Sequence, residues 1–358
     1  MSVSNIFHHQ MLFRDAITFD NTGKKIYQSM IAKIILTGQL ILLISCNQSQ
    51  KKPTMATKPL YKEGFIQTDK IKLHYLDWGG SGTPLILLHG LGDSPYLFEG
   101  IAESLQNNFR IIAYSKRGHN NSEAIDSIYD TATLAEDLKI LLDSLRIEKA
   151  NLLGWSMGGN EITEFAIRYP ERTDKLIYLE SGYDFSDEAF QTILKTIPNS
   201  PFPDKVDLHS LDAYRSWYHK FWFGDIEWNH VLESNLISSA SIKSDSSVMT
   251  KPNDQISKSF LESIMSYRRD YEKIQAPALA IYTNSFFYPP KNDKETTDSY
   301  DTLEKNVINP WRFHSINRIK SELRDVTVKF MPAGTHVSFI FLSKDSLIKS
   351  INSFLLKD

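Results

Sequence analysis

Asn151-Leu152-Leu153-Gly154-Trp155-Ser156-Met157-Gly158-Gly159 is an apolar run that meets a serine between small residues and passes into an amphipathic stretch. G-x-S-x-G alone arises often by chance. Here it follows a strand-like run and opens a helix-like one, which is the context the motif requires. The reason is steric. A strand turning abruptly into a helix holds Ser156 in a strained backbone conformation and pushes its hydroxyl outward, while side chains at Gly154 and Gly158 would collide in the turn. The helix that begins just past the serine presents an amino end that favours developing negative charge.

Outward from this turn, short apolar runs alternate with longer amphipathic ones. Strands are expected over 64–68, 70–77, 84–89, 110–115, 150–155, 175–180, 277–283 and 326–331, with helices over 96–107, 131–146, 159–169, 301–323 and 344–356. Leu134, Leu138, Leu141, Leu142 and Leu145 recur at helical spacing, a stripe to bury against a sheet. The alternation predicts an α/β fold with a mostly parallel eight-stranded sheet flanked by helices. It breaks over 183–266, where no strand is expected and Trp217, Tyr218, Phe221, Trp222, Phe223 and Trp228 crowd together. This segment reads as a helical cap inserted into a core of 61–182 and 267–358. Most of its rings should pack the insertion itself, and a few should face the crevice at the carboxyl ends of the strands.

Leu85-Ile86-Leu87-Leu88-His89-Gly90-Leu91-Gly92 is a second strand-to-loop passage. With the serine turn it closely resembles the α/β-hydrolase superfamily, from about Tyr61 to the end of the chain. The resemblance implies a Ser156 nucleophile and an oxyanion hole made by the backbone N–H groups of Leu91 and Met157, which stabilise a tetrahedral intermediate more than the substrate. It leaves His89 a structural role. A serine also needs a base. Of ten histidines, His336 follows the strand-like Val328–Met331 run near the carboxyl end, where the family places its base after the acid; His209, His219 and His230 read as polar-face residues of the insertion. The acid departs from the commonest pattern. After 277–283 no carboxylate stands before Asp293, whereas Glu180 ends the preceding apolar strand, the sixth, as some members of the superfamily have it. Burying Glu180 would be costly unless an imidazole paired with it. Asp184 and then Asp293 are the alternative acids. At Tyr114-Ser115-Lys116-Arg117-Gly118-His119, relatives often carry Asp before x-Arg-Gly; that position is usually structural.

Composition limits the rest. Apolar residues at 41% and charged residues at 23% suit a globular chain with a sizeable core. A net charge of −3 gives no footprint for nucleic acid. The single cysteine rules out an intrachain disulfide or a cysteine-built metal site, and no H-E-x-x-H occurs, so neither metal nor cofactor is expected. That cysteine, Cys46, follows Lys33 and the short apolar run 34–45, the pattern of a secretory signal. Leu43-Ile44-Ser45-Cys46 resembles a bacterial lipobox, which implies cleavage before Cys46 and acylation of its thiol. Residues 1–29 then read as an upstream extension, 30–45 as the signal and 46–60 as a polar tether. The expected protein is a lipid-anchored serine hydrolase of the bacterial cell envelope. Its expected partners are a small acyl substrate and, through Cys46, a membrane. A carboxylic ester with an apolar part is the leading substrate, with peptide and carbon–carbon bonds left open because fold does not choose among them. The alternative is a catalytically silent envelope protein that binds a ligand or partner on the same fold, a reading favoured by the missing acid after 277–283.

Overall fold

The computed structural model describes residues 60–125, 129–198, 201–266, 268–287 and 294–357. Residues 1–59, which hold the expected signal, nearly all of the expected tether and Cys46, lie outside them, as does Asp293.

Eight strands form one sheet in the order β1-β2-β4-β3-β5-β6-β9-β10. They are β1 (Lys62–Gln67), β2 (Lys72–Gly79), β3 (Pro84–Leu88), β4 (Arg110–Tyr114), β5 (Ala150–Trp155), β6 (Thr173–Leu179), β9 (Ala278–Tyr282) and β10 (Val326–Phe330). Only β2 runs against its neighbours; every pairing from β4 to β10 is parallel. The central strands are buried on both faces, so they read as continuous apolar runs rather than alternating ones. The leucine stripe lies on the helix Thr131–Ser144, with Leu134, Leu138, Leu141 and Leu142 buried and Leu145 at its carboxyl cap.

Each expected strand is present within a residue or two of its predicted ends. Two expectations need correction. The segment 183–266 carries a small antiparallel hairpin, β7 (Ala240–Ile242) with β8 (Val248–Thr250), beside its helices Glu188–Thr196, Leu211–Trp222, His230–Ser238 and Asp254–Ser266. Three-residue strands are too short to show a period of two. The helix expected over 301–323 is composite: Lys294–Leu303, a π-helical turn at Glu304–Ile308, then Asn309–Glu322. Pro310 has no N–H to give the carbonyl four residues back, and the backbone widens there.

The inserted segment is tied to the core by polar contacts. Ser94 Oγ donates to Asn235 Oδ1 at 2.6 Å, Asn120 Nδ2 to Ser239 Oγ at 3.0 Å, and Ser338 Oγ to Asp225 Oδ2 at 2.8 Å.

Candidate active site

Ser156 leaves the carboxyl end of β5 with φ of +52°, the left-handed region that a residue bearing a side chain seldom adopts. Such a conformation costs on the order of 1–3 kcal/mol and persists only where its surroundings hold it. The hold is visible. Ser156 N donates to Leu179 O at 3.1 Å, and Ser181 Oγ donates to Ser156 O at 2.6 Å. A Cβ on Gly154 would strike the Gly158 backbone, and one on Gly158 would strike the Leu88 carbonyl oxygen. The helix Gly158–Arg168 then starts two residues past the serine.

His336 stands in the loop after β10. Its N–H donates to Phe286 O at 3.1 Å and its carbonyl accepts from Trp155 Nε1 at 3.0 Å. Its ring stacks on Phe286, with centroids 4.2 Å apart and planes 23° apart. Held in this way, the ring places Nε2 3.0 Å from Ser156 Oγ and Nδ1 3.1 Å from Glu180 Oε2.

Glu180 follows β6, and it too has a positive φ, +43°. Its N–H donates to Ile281 O at 2.8 Å, locking it to β9. The carboxylate is fully buried and fully engaged. Oε1 accepts from Thr283 N at 2.5 Å, Thr283 Oγ1 at 2.8 Å and Arg312 Nη2 at 3.0 Å; Oε2 accepts from Tyr183 Oη at 2.7 Å as well as from His336. Burial works against the charge, but the Arg312 guanidinium, with the hydrogen bonds from His336 and Tyr183, outweighs it and holds the carboxyl down at about 2. A carboxylate in that state can only accept, so Nδ1 of His336 carries the proton and Nε2 is free to take one from Ser156.

The other carboxylates lie elsewhere or outside the described residues. Asp184 is turned to the helix Asn309–Glu322, where Arg318 Nη1 reaches it at 2.9 Å, and it also accepts from Ser186 Oγ at 2.5 Å. Asp293 is outside the described residues. His89 is buried, with Nδ1 2.7 Å from Gly90 O and Nε2 3.2 Å from Lys116 N. His219 turns to Ile226 O, and His209 to Val206 O. Arg312 escaped the sequence reading. The signal was there: Ile308, Arg312, Ile316 and Ile319 follow helical spacing, so a cation occupies a core-facing position.

Leu91 and Met157 line the same cavity as Ser156 and His336. It has a volume of about 470 Å³, and its walls are mostly apolar. Phe185, Phe190, Trp217, Trp222 and Phe223 of the inserted segment contribute to it, whereas Trp228 turns away to bond Glu233 Oε2 at 2.9 Å. Among the described residues, no group of three or more His, Cys, Asp or Glu side chains could hold a metal ion. The arrangement offers a hydroxyl, a base oriented to take its proton and a buried anion facing the base, all opening on a greasy chamber. These are the parts of nucleophilic acyl transfer.

Comparison with known proteins agrees with this fold. A 2-hydroxy-6-oxononadienedioate/2-hydroxy-6-oxononatrienedioate hydrolase of Paraburkholderia phymatum is 34% identical over 118 residues, 32% of this chain and 41% of that one. A pimeloyl-[acyl-carrier protein] methyl ester esterase of Aeromonas salmonicida is 37% identical over 104 residues, 29% of this chain and 39% of that one. With an uncharacterized protein of Mycobacterium tuberculosis matched over 30% of its length, the chain spans 30 to 41% of these curated relatives. Among solved structures, E-2-(acetamidomethylene)succinate hydrolase superposes with a TM-score of 0.60 at 16% identity, covering 82% of this chain and 99% of that one, a likeness of fold. The family model of the α/β hydrolase fold matches residues 83–274. With the sheet order, the serine turn and this match in agreement, the chain belongs to the α/β hydrolase fold family.

Proposed function

We propose that this protein is a serine hydrolase that cleaves a carboxylic ester with an apolar acyl or alcohol part. The observation that carries the reading is the hydrogen-bonded run Ser156–His336–Glu180 at the wall of an apolar chamber. Ser156 Oγ attacks the ester carbonyl carbon as its proton passes to His336 Nε2, and the carbonyl oxygen becomes an oxyanion facing the N–H groups of Leu91 and Met157. Collapse breaks the carbon–oxygen bond, and His336 returns the proton to the departing alcohol. Water then repeats the sequence on the acyl-enzyme, releasing the acid and restoring Ser156. Glu180 orients the imidazole and balances its positive charge without taking a proton. The silent-binder alternative draws on the missing acid after 277–283; the hydrogen bond between Glu180 and His336 supports the hydrolase reading over it.

The experiment is labelling with a fluorophosphonate beside a panel of chromogenic esters. The reading expects Ser156 to be modified and esters to turn over. An unlabelled, folded protein inert toward the whole panel would refute it. We also propose that Cys46 carries acyl chains that hold the protein at the cell envelope, a reading supported by the basic start, the short apolar run and Leu43-Ile44-Ser45-Cys46.

A further inference from the structure

Asp93 stands two residues past Leu91, half-buried at the wall of the chamber, and the acyl-transfer steps above make no use of it. Its carboxyl is held from the inserted segment. Tyr218 Oη donates to Oδ1 at 3.1 Å, Asn235 Nδ2 donates to Tyr218 Oη at 2.6 Å, and Ser94 Oγ anchors Asn235 from the other side. Ser94 and Asn235 are fully buried, so this brace is a built feature and not a solvent-facing accident. The other oxygen, Oδ2, borders the same small space as Ser156. A single carbon placed on Gly90 would lie 3.1 Å from Asp93 Oδ2, 3.2 Å from Ser156 Cβ and 3.7 Å from Ser156 Oγ.

A carboxyl in an apolar chamber needs a partner there, because a polar group left unpaired when substrate expels water carries a penalty. Burial pushes this carboxyl up to about 7 against the hydrogen bonds from Tyr218 and Asn235, so near neutral pH it is present in both forms. A hydroxyl suits both, since it can donate to the carboxylate and also accept from the acid. A carboxylate on the substrate would meet a like charge once Asp93 ionises.

We propose that Asp93, braced by Tyr218 and Asn235, is a polar subsite that recognises a hydroxyl carried by the substrate a few bonds from the scissile carbonyl. This rests on the hydrolase reading and narrows it to hydroxylated acyl esters. A substrate with the hydroxyl blocked should be rejected by roughly ten- to a hundredfold, the range expected when one hydrogen bond to a buried polar group is lost.

The test uses methyl octanoates bearing a hydroxyl at carbon 2, 3 or 4, each beside its methoxy and unsubstituted counterparts. In the parent protein at least one hydroxy ester should exceed its methoxy partner in kcat/KM by tenfold or more. Asp93→Val should bring that ratio to within about twofold of one, and Tyr218→Phe, which removes only the brace, should lower it partway. Ratios near one for all three positions, or a preference untouched by both variants, would overturn the subsite. Dissociation constants of the same esters for Ser156→Ala separate the two readings. A hydroxyl preference in binding without turnover by the parent would sink the hydrolase and keep the subsite. Turnover without preference would do the reverse.

Discussion

Ser156 and Glu180 both hold a positive φ without being glycine, and both end neighbouring strands. The sheet therefore supplies the rigidity that the proposed acyl transfer would need from Ser156 and Glu180. Ser156→Ala is expected to abolish ester hydrolysis and fluorophosphonate labelling with little change in thermal midpoint, since one small side-chain atom is removed. His336→Ala should cost several orders of magnitude in kcat, because members of such a set fail as a unit. Glu180→Gln should lose on the order of a thousandfold in kcat as the ring loses its orienting charge. Asp184→Asn should stay within about tenfold in kcat, a change of ~1.4 kcal/mol, while stability falls because Arg318 loses its buried partner. If Asp184→Asn collapses kcat and Glu180→Gln does not, the acid has been misassigned. Arg312→Leu leaves Glu180 charged and buried without its cation, held only by the hydrogen bonds from Thr283, Tyr183 and His336, so urea unfolding should show a loss of about 3–5 kcal/mol. Arg312→Lys keeps the charge but has one nitrogen where the guanidinium uses two, Nη2 for Glu180 Oε1 and Thr283 O and Nε for Tyr183 Oη, and it should recover only part of that loss.

The composite helix is what brings Arg312 to Glu180. Its π-helical turn sits just before Asn309, and Glu304 on that turn accepts from Phe286 N at 2.6 Å. Phe286 in turn stacks on His336, so the turn supports the loop beneath the imidazole. The inserted segment acts on the same loop from above. Trp222 packs on Phe287 with ring centroids 6.2 Å apart and also lines the chamber. Trp222→Ala should enlarge the chamber and change the ratio of kcat/KM between decanoate and butyrate esters by about fivefold or more, a shift of ~1 kcal/mol. The fluorophosphonate labelling rate should move less than this ratio. Equal changes for both chain lengths would deny Trp222 a part in substrate choice.

Across the whole molecule, buried ionisable groups make stability depend on pH in a direction that can be worked out. His119 is fully buried and neutral; desolvation lowers it to about 3, and His89 is pushed in the same direction. Below about 6.5 the unfolded chain takes a proton that folded His119 refuses. Stability from this source is therefore complete above 6.5 and falls as pH drops toward 3, by about 1.4 kcal/mol per pH unit. Glu180, held at about 2, loses its own contribution only lower, between about 4.5 and 2. Asp93, held up at about 7, and Glu161, raised by burial, act in the opposite sense over this range. The His119 contribution is therefore read as a difference: relative to the parent, His119→Leu should make the urea midpoint fall less steeply, or rise, between pH 6.5 and 5. An unchanged slope in this variant would assign the effect elsewhere. At the other end of the chain, mass spectrometry of the native protein should find an acylated amino-terminal Cys46, and Cys46→Ser should release the protein from membranes or leave it as an unprocessed precursor. One acyl chain binds only marginally, so several are expected.

The central strands were legible nearly to their ends because burial on both faces demands unbroken apolar runs, a local property of the chain. Ser156 was legible for a similar reason, since the collision that demands Gly154 and Gly158 arises within a few residues. Glu180 and His336 could be named by position at strand ends, but sequence left three acids open. Choosing among them is a matter of distance across 156 residues of chain. The tertiary structure brings Glu180 to His336 and carries Asp184 away to Arg318. The pairing of Arg312 with Glu180, the Asp93 brace and the hairpin β7–β8 depend on it entirely, although helical spacing alone puts Arg312 on a core-facing position. Each joins residues far apart in the chain or too few to set a period, and electrostatic pairing leaves no periodicity for a sequence to display.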